Sequence, residues 1–192
     1  MVDPIHFTKF DRTVVELEEM VLFSLLVAGK NALTTARGLD RFLQRSHIGL
    51  DEFQPFASLR SFTQNYIEAM LYSSGIGCYK SKAKGVCQLV HSGLNLCACT
   101  ADDLEIIHGI GLKTSRMFIL HSRRNAEVAC LDVHILRYMA DRKYDVPKTT
   151  PSSKKKYLEI QDKFLTLARG SGLSVAEFDL QIWNNYRKKS AA

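Results

Sequence analysis

The chain has 192 residues, 46% of them hydrophobic and 24% charged, with only four prolines. That composition can bury a core and excludes disorder as a whole-chain description, while the length points to one domain or two small lobes sharing a core. The formal charge is +6, and the longest apolar run, Met20 to Ala28, falls well short of the ~18 residues a membrane span needs.

The reading in chain order is almost wholly helical. Val14, Leu17, Val21, Leu22 and Leu25 form a helical stripe over Val14 to Ala28, and Leu39, Phe42 and Leu43 mark a short amphipathic stretch. Leu59 to Tyr72 is a third helix, broken by Gly75-Ile76-Gly77 from a fourth over Ser81 to His91. Thr100 and Asp103 form a capping-box pattern, with Asp in place of Glu, opening a short helix through Ile107. Helices follow over Leu112 to His121 and from an Asp132 cap to Asp141, then Ser153 to Leu167 and Ser174 to Arg187. Ala126 to Leu131 carries the only strand signal, and a longer loop is expected from Asp145 to Ser153. The expected fold class is all-α.

Five cysteines, at 78, 87, 97, 99 and 130, form no regular framework, which argues for free thiols in a reducing compartment. Cys97-Ala98-Cys99 lacks the spacing of a zinc knuckle and has no second pair. The N-terminal MVDPIHFTKFDRT has neither the basic nor the apolar region of a secretory signal, so a cytoplasmic, membrane-free protein is expected. Lys80, Lys82 and Lys84 add a positive stripe after Gly77, and the segment from Asp141 onward is also basic. A solvated basic face explains this as well as nucleic acid does.

The segment from Leu104 to Met139 carries the chemistry. Gly109-Ile110-Gly111 permits a tight turn whose N–H groups can approach an anion, and the helix opening at Leu112 adds its dipole there. Lys113 sits in that helix's first turn, where its protonated form is disfavoured; desolvated, its free amine can act as a nucleophile. Asp132 can accept hydrogen bonds from the first N–H groups of the next helix and so remain a carboxylate.

Gly109-Ile110-Gly111-Leu112-Lys113-Thr114, followed 19 positions after Lys113 by Asp132 in Leu131-Asp132-Val133-His134, resembles the signature of the helix-hairpin-helix base-excision DNA glycosylases, the superfamily of endonuclease III and the 8-oxoguanine glycosylases. Ile76 to Ala83 is similar to that family's segment beside the DNA backbone, and Glu19 to Ala28 to its first long helix. The absence of any cysteine after Cys130 argues against the endonuclease III iron–sulfur cluster. Asp179-Leu180-Gln181-Ile182-Trp183 instead resembles the compact archaeal-type 8-oxoguanine glycosylases, both second-type and archaeal.

The resemblance implies two helical lobes with the hairpin motif and an active-site cleft between them. Within one domain, 1–192, it places lobe A at about 30–130, with the hairpin at 101–123, and lobe B at about 1–29 plus 131–192. It implies Lys113 and Asp132 as catalytic residues, Met117 and Trp183 as stacking partners of an everted base, and Asp179 as its edge contact. Gly109, Gly111, Lys80, Lys82 and His134 would hold the DNA backbone. Three departures stand out: His108 replaces a proline before the hairpin, and Lys30 or Asn31 must fill the gap left by the base. The C-terminal Arg187 to Ala192 also has no clean match to the family's terminal lysine carboxylate.

The implied activity is a bifunctional DNA glycosylase/AP lyase acting on 8-oxoguanine in double-stranded DNA, as a monomer. No cofactor is expected beyond the monovalent ion that family hairpins often hold on backbone carbonyls. A glycosylase for another lesion, such as an oxidised pyrimidine, and a non-catalytic hairpin DNA-binding module remain the alternatives.

Overall fold

A computed structural model describes residues 2–47 and 53–189. Among them the regular structure is ten helices and no strand. The chain divides into two compact units, the first of residues 1–4 and Asp11–Gly111, the second of Ile5–Phe10 and 112–192.

The first unit holds α1 (Val14–Leu26), α2 (Ala32–Ser46), α3 (Pro55–Arg60), α4 (Gln64–Ser73), α5 (Tyr79–His91) and α6 (Ala101–Glu105). Helix α1 opens on a capping box: Glu16 N–H donates to Thr13 Oγ1 and Thr13 N–H to Glu16 Oε2. Leu17 and every residue from Met20 to Leu26 are buried. A helix buried on nearly all sides needs neighbours all round, and α1 packs on α2, α3 and α5. For that reason the first helix groups with residues 32–111, not with the C-terminal helices as a lobe B of 1–29 plus 131–192 would require, and the boundary falls at Gly111 rather than near 130.

The expected single helix over Leu59 to Tyr72 is two. Pro55 starts α3 at a position where its missing N–H costs nothing. Thr63 then caps α4 by accepting from Tyr66 N–H. An apolar period continuing through Phe62 hides the break.

Helix α5 lies close to the chain entering the hairpin. A Cβ on Gly85 would come within 2.3 Å of the His108 carbonyl oxygen, so only glycine fits. His108 N–H donates to Gln88 Oε1 at 2.7 Å, and its Nε2 lies 3.0 Å from Ser81 Oγ. A proline at position 108 could not make the first of these bonds. The substitution thus exchanges ring rigidity for a tie to α5.

The second unit holds α7 (Leu112–Ser122), α8 (Val133–Asp141), α9 (Lys154–Arg169) and α10 (Val175–Lys189). Helix α10 packs on α7, α8 and α9. The N-terminal strap 5–10 belongs here too: Lys9 N–H donates to the His121 carbonyl, and Asn184 Nδ2 to that of Ile5.

Ala126–Leu131 forms neither helix nor strand. Its polar backbone is satisfied by side chains instead. Gln161 Oε1 accepts from Ala129 N–H at 3.1 Å. The Tyr157 hydroxyl accepts from Leu131 N–H at 3.0 Å and donates to the Ala129 carbonyl at 2.7 Å, while Thr150 Oγ1 donates to the Leu131 carbonyl. The Arg116 guanidinium lies 5.0 Å from the Tyr157 ring centroid. Tyr157→Phe therefore strands two buried backbone groups, and denaturant unfolding should show a loss of about 1–3 kcal/mol with the m-value unchanged.

Candidate active site

The chemically interesting side chains of the second unit gather around Asp132. It is the N-cap of α8, and its Oδ1 accepts from His134 N–H at 2.8 Å and Ile135 N–H at 2.9 Å. Both bonds go to one oxygen, leaving Oδ2 outside the cap. Lys113 lies in the first turn of α7, half-buried, with Nζ 3.9 Å from Met117 Sδ one turn on. Met117 is itself only 8% exposed.

Asp179, on α10, is 4% exposed, and burial raises its carboxyl above the ordinary range. His121 opposes that rise, with Nε2 3.5 Å from Asp179 Oδ2. Asp132 pushes the Asp179 carboxyl further up and Lys113 pulls it down. Cys130 is fully buried and its thiol is pushed well up by desolvation, with Lys113 acting against that shift and Asp179 and Asp132 adding to it. Lys113 and Asp132 are thus near enough for their charges to bear on both Asp179 and Cys130.

Trp183 is half-buried one turn beyond Asp179, with the His134 ring edge-on at 6.2 Å and the Arg187 guanidinium 5.0 Å from its centroid. His134 Nδ1 is buried without a hydrogen-bond partner. The sequence-predicted Lys113, Met117, Asp132, His134, Asp179 and Trp183 therefore all fall in one unit. His121, Cys130 and Tyr157 were not singled out; an apolar helix end, a lone thiol and a tyrosine in a helical stripe carry no motif.

The first unit holds the other predicted positions. Gly109 takes φ +85°, the left-handed turn expected of it, and Gly111 is exposed. Lys80 is exposed, as a phosphate contact requires. Lys82 is not part of that stripe. It is 7% exposed, and its ammonium turns inward to donate to the Leu26 carbonyl at 2.5 Å, satisfying an orphan acceptor at the α1 C-terminus. A two-residue step along α5, about 200° round the helix, points it at the core, away from Lys80.

Asn31 is likewise committed as the N-cap of α2, accepting from Thr34 N–H at 3.0 Å. Lys30, by contrast, is exposed. With Asn31, Thr34, Thr35, Gly75, Ile76, Gly77 and Lys82 it lines a cavity of about 120 Å³. Residues 190–192, which include the end of the C-terminal mismatch, lie outside the described residues. Among the described residues no group of three or more His, Cys, Asp or Glu is gathered to hold a metal, and no helix is long and apolar enough to cross a membrane.

Burial lowers the Lys82 ammonium to about 8, Cys78 opposing and Lys30 adding to the shift. Between about 8 and the ordinary lysine value near 10.4 the unfolded chain then binds more protons than the folded one, so stability rises with pH in that window. Lys82→Met should remove that rise, seen as converging urea midpoints of the variant at pH 7.5 and 10.

No family model matches the chain. Over 79 residues it is 37% identical to the 8-oxoguanine DNA glycosylase/AP lyase of Methanocaldococcus jannaschii, a match covering 40% of this chain and 37% of that protein. Over 83 residues it is 35% identical to the enzyme of the same name from Picrophilus torridus, covering 42% and 37% respectively. The matched stretch thus spans little more than a third of these relatives. Among solved structures, the M. jannaschii 8-oxoguanine glycosylase/lyase in complex with a 15mer DNA containing 8-oxoguanine superposes with a TM-score of 0.67 at 22% identity, covering 94% of this chain and 85% of that one. The 8-oxoguanine DNA glycosylase of Thermotoga maritima gives 0.71 at 21% identity, covering 90% and 80%. The chain therefore has the helical fold of the 8-oxoguanine DNA glycosylases, and in its matched stretch it resembles their archaeal members in sequence.

Proposed function

We propose that the chain is a DNA glycosylase with AP-lyase activity that removes an oxidised base, 8-oxoguanine, from double-stranded DNA. The observation that carries this reading is that Lys113, in the first turn of α7, and Asp132, capping α8, both bear on the same buried groups, Asp179 and Cys130. A hairpin module that only binds phosphates has use for the glycines but none for that pair.

The glycine turn, Lys80 and neighbouring cations grip the backbone without reading sequence. The damaged nucleotide swings out of the stack. Lys113 Nζ, having lost a proton, attacks the sugar C1′ as the bond to the base breaks, and the base leaves protonated. Opening of the sugar ring gives a Schiff base, and loss of a proton from C2′ expels the 3′-phosphate, nicking the strand. Asp132 assists deprotonation of Lys113 and faces the positive charge that builds on the sugar. Met117 and Trp183 offer a polarizable thioether and an aromatic plane to the two faces of a purine. The chemistry draws on side chains alone, and a monomer suffices for it.

Borohydride should trap a covalent protein–DNA adduct, and Lys113→Gln should abolish it; an adduct at another lysine would relocate the site. Asp132→Asn should bind lesion DNA yet lose excision on the order of 10²- to 10⁴-fold in single-turnover assays. Placing 8-oxoguanine opposite each normal base, beside a duplex bearing an oxidised pyrimidine, tests the substrate. Activity only on the pyrimidine would replace 8-oxoguanine, and DNA affinity with no cleavage at all would leave a binding module.

A further inference from the structure

The end of α7 holds a buried polar chain that the reaction above does not use. Thr8 Oγ1, from the strap 5–10, lies 2.8 Å from His121 Nδ1, and His121 Nε2 lies 3.5 Å from Asp179 Oδ2. Histidine and aspartate are both almost fully buried, at 3% and 4% exposure. Phe7 packs edge-on against the imidazole at 5.3 Å, and the His121 carbonyl is tied to Lys9 N–H, so the ring is held from both sides. The other carboxylate oxygen, Asp179 Oδ1, is buried and has no hydrogen-bond partner.

A buried acceptor without a donor is unfavourable in the empty protein. It becomes favourable when a ligand brings an N–H. With Nε2–H directed at Oδ2, His121 works against the burial-driven rise of the Asp179 carboxyl, and Oδ1 is left as a fixed acceptor. A Thr8 hydroxyl donating to Nδ1 would select that tautomer. The edge of an oxidised purine carries ring and exocyclic N–H donors suited to such an acceptor, whereas an edge of lone pairs would be repelled.

We propose that Thr8, His121 and Asp179 form a relay in which His121 is a positioning residue for base recognition, aiming Asp179 Oδ1 at the N–H edge of the everted base without touching the base. This rests on the reading of the site as a base-excision pocket. The charged and titratable groups bearing on Asp179 are His121 and Lys113 from α7, Asp132 at the head of α8, Cys130 from the irregular segment before it and Tyr157 from α9. Of these, His121 acts most strongly against burial.

A preformed abasic site separates the relay from the chemistry, because it needs Lys113 and Asp132 but presents no base to Asp179. His121→Phe, which keeps the ring contact with Phe7, should slow single-turnover 8-oxoguanine release on the order of tenfold to a hundredfold. Nicking of the abasic duplex should change less than about twofold by comparison. The acid limb of the excision profile should move to higher pH, since Asp179 then protonates more readily, while the acid limb of abasic nicking stays in place. Thr8→Val, a milder change, should move excision the same way by a smaller factor.

Excision by His121→Phe at the wild-type rate would overturn the proposal. So would equal loss of excision and abasic nicking with unmoved pH profiles, which marks a merely structural histidine. A wild-type chain that nicks abasic DNA but releases no 8-oxoguanine would instead overturn the substrate reading, and the relay with it.

Discussion

The two hydrogen bonds from the first turn of α8 to Asp132 Oδ1 are the constraint around which the second unit is arranged. They fix the Asp132 side chain at a helix start. A cap can hold only what the preceding chain delivers to it, and here the preceding chain is irregular with no sheet to join. Tyr157, Gln161 and Thr150 supply the hydrogen bonds that a neighbouring strand would have supplied. Arg116 over the Tyr157 ring then connects the register of α9 to that of α7, the helix bearing Lys113. Placement of the acid and the amine in one frame is therefore a packing property of α7, α8 and α9.

The same frame explains the electrostatics. Desolvation favours neutral forms at Cys130 and Asp179, and the cluster divides into groups that resist it and groups that reinforce it. Lys113 lowers both neighbours, Asp132 raises both, and His121 restrains Asp179 alone. Perturbed, mutually coupled groups of this kind are typical of sites that act on a ligand. The six-residue strap at 5–10 matters because it closes the far side of His121.

Much of this was legible in the sequence where local chemistry decides. Thr100, Asp132 and Ser153 each announce a helix start, and each caps one. The hairpin glycines and Lys113 stand out by spacing. Where tertiary packing decides, the sequence was mute or misleading. The β-branched content of Ala126 to Leu131 gives a weak strand signal, but no strand exists among the described residues. Lys82 reads as one of three surface lysines, yet the turn of α5 carries it beneath the end of α1. His121 shows nothing in sequence, because its partners lie more than fifty residues away on either side.

The sealed environment of Cys130 gives the second unit a built-in chemical tell-tale. A thiol held protonated by burial is a poor nucleophile, so alkylating reagents would meet the exposed Cys78 and Cys97 first and pass Cys130 by. Because that shelter is made by the same packing that gathers Lys113, Asp132 and Asp179, Cys130 becomes reactive only when the frame opens. Its labelling rate is thus a direct gauge of how often the second unit breathes.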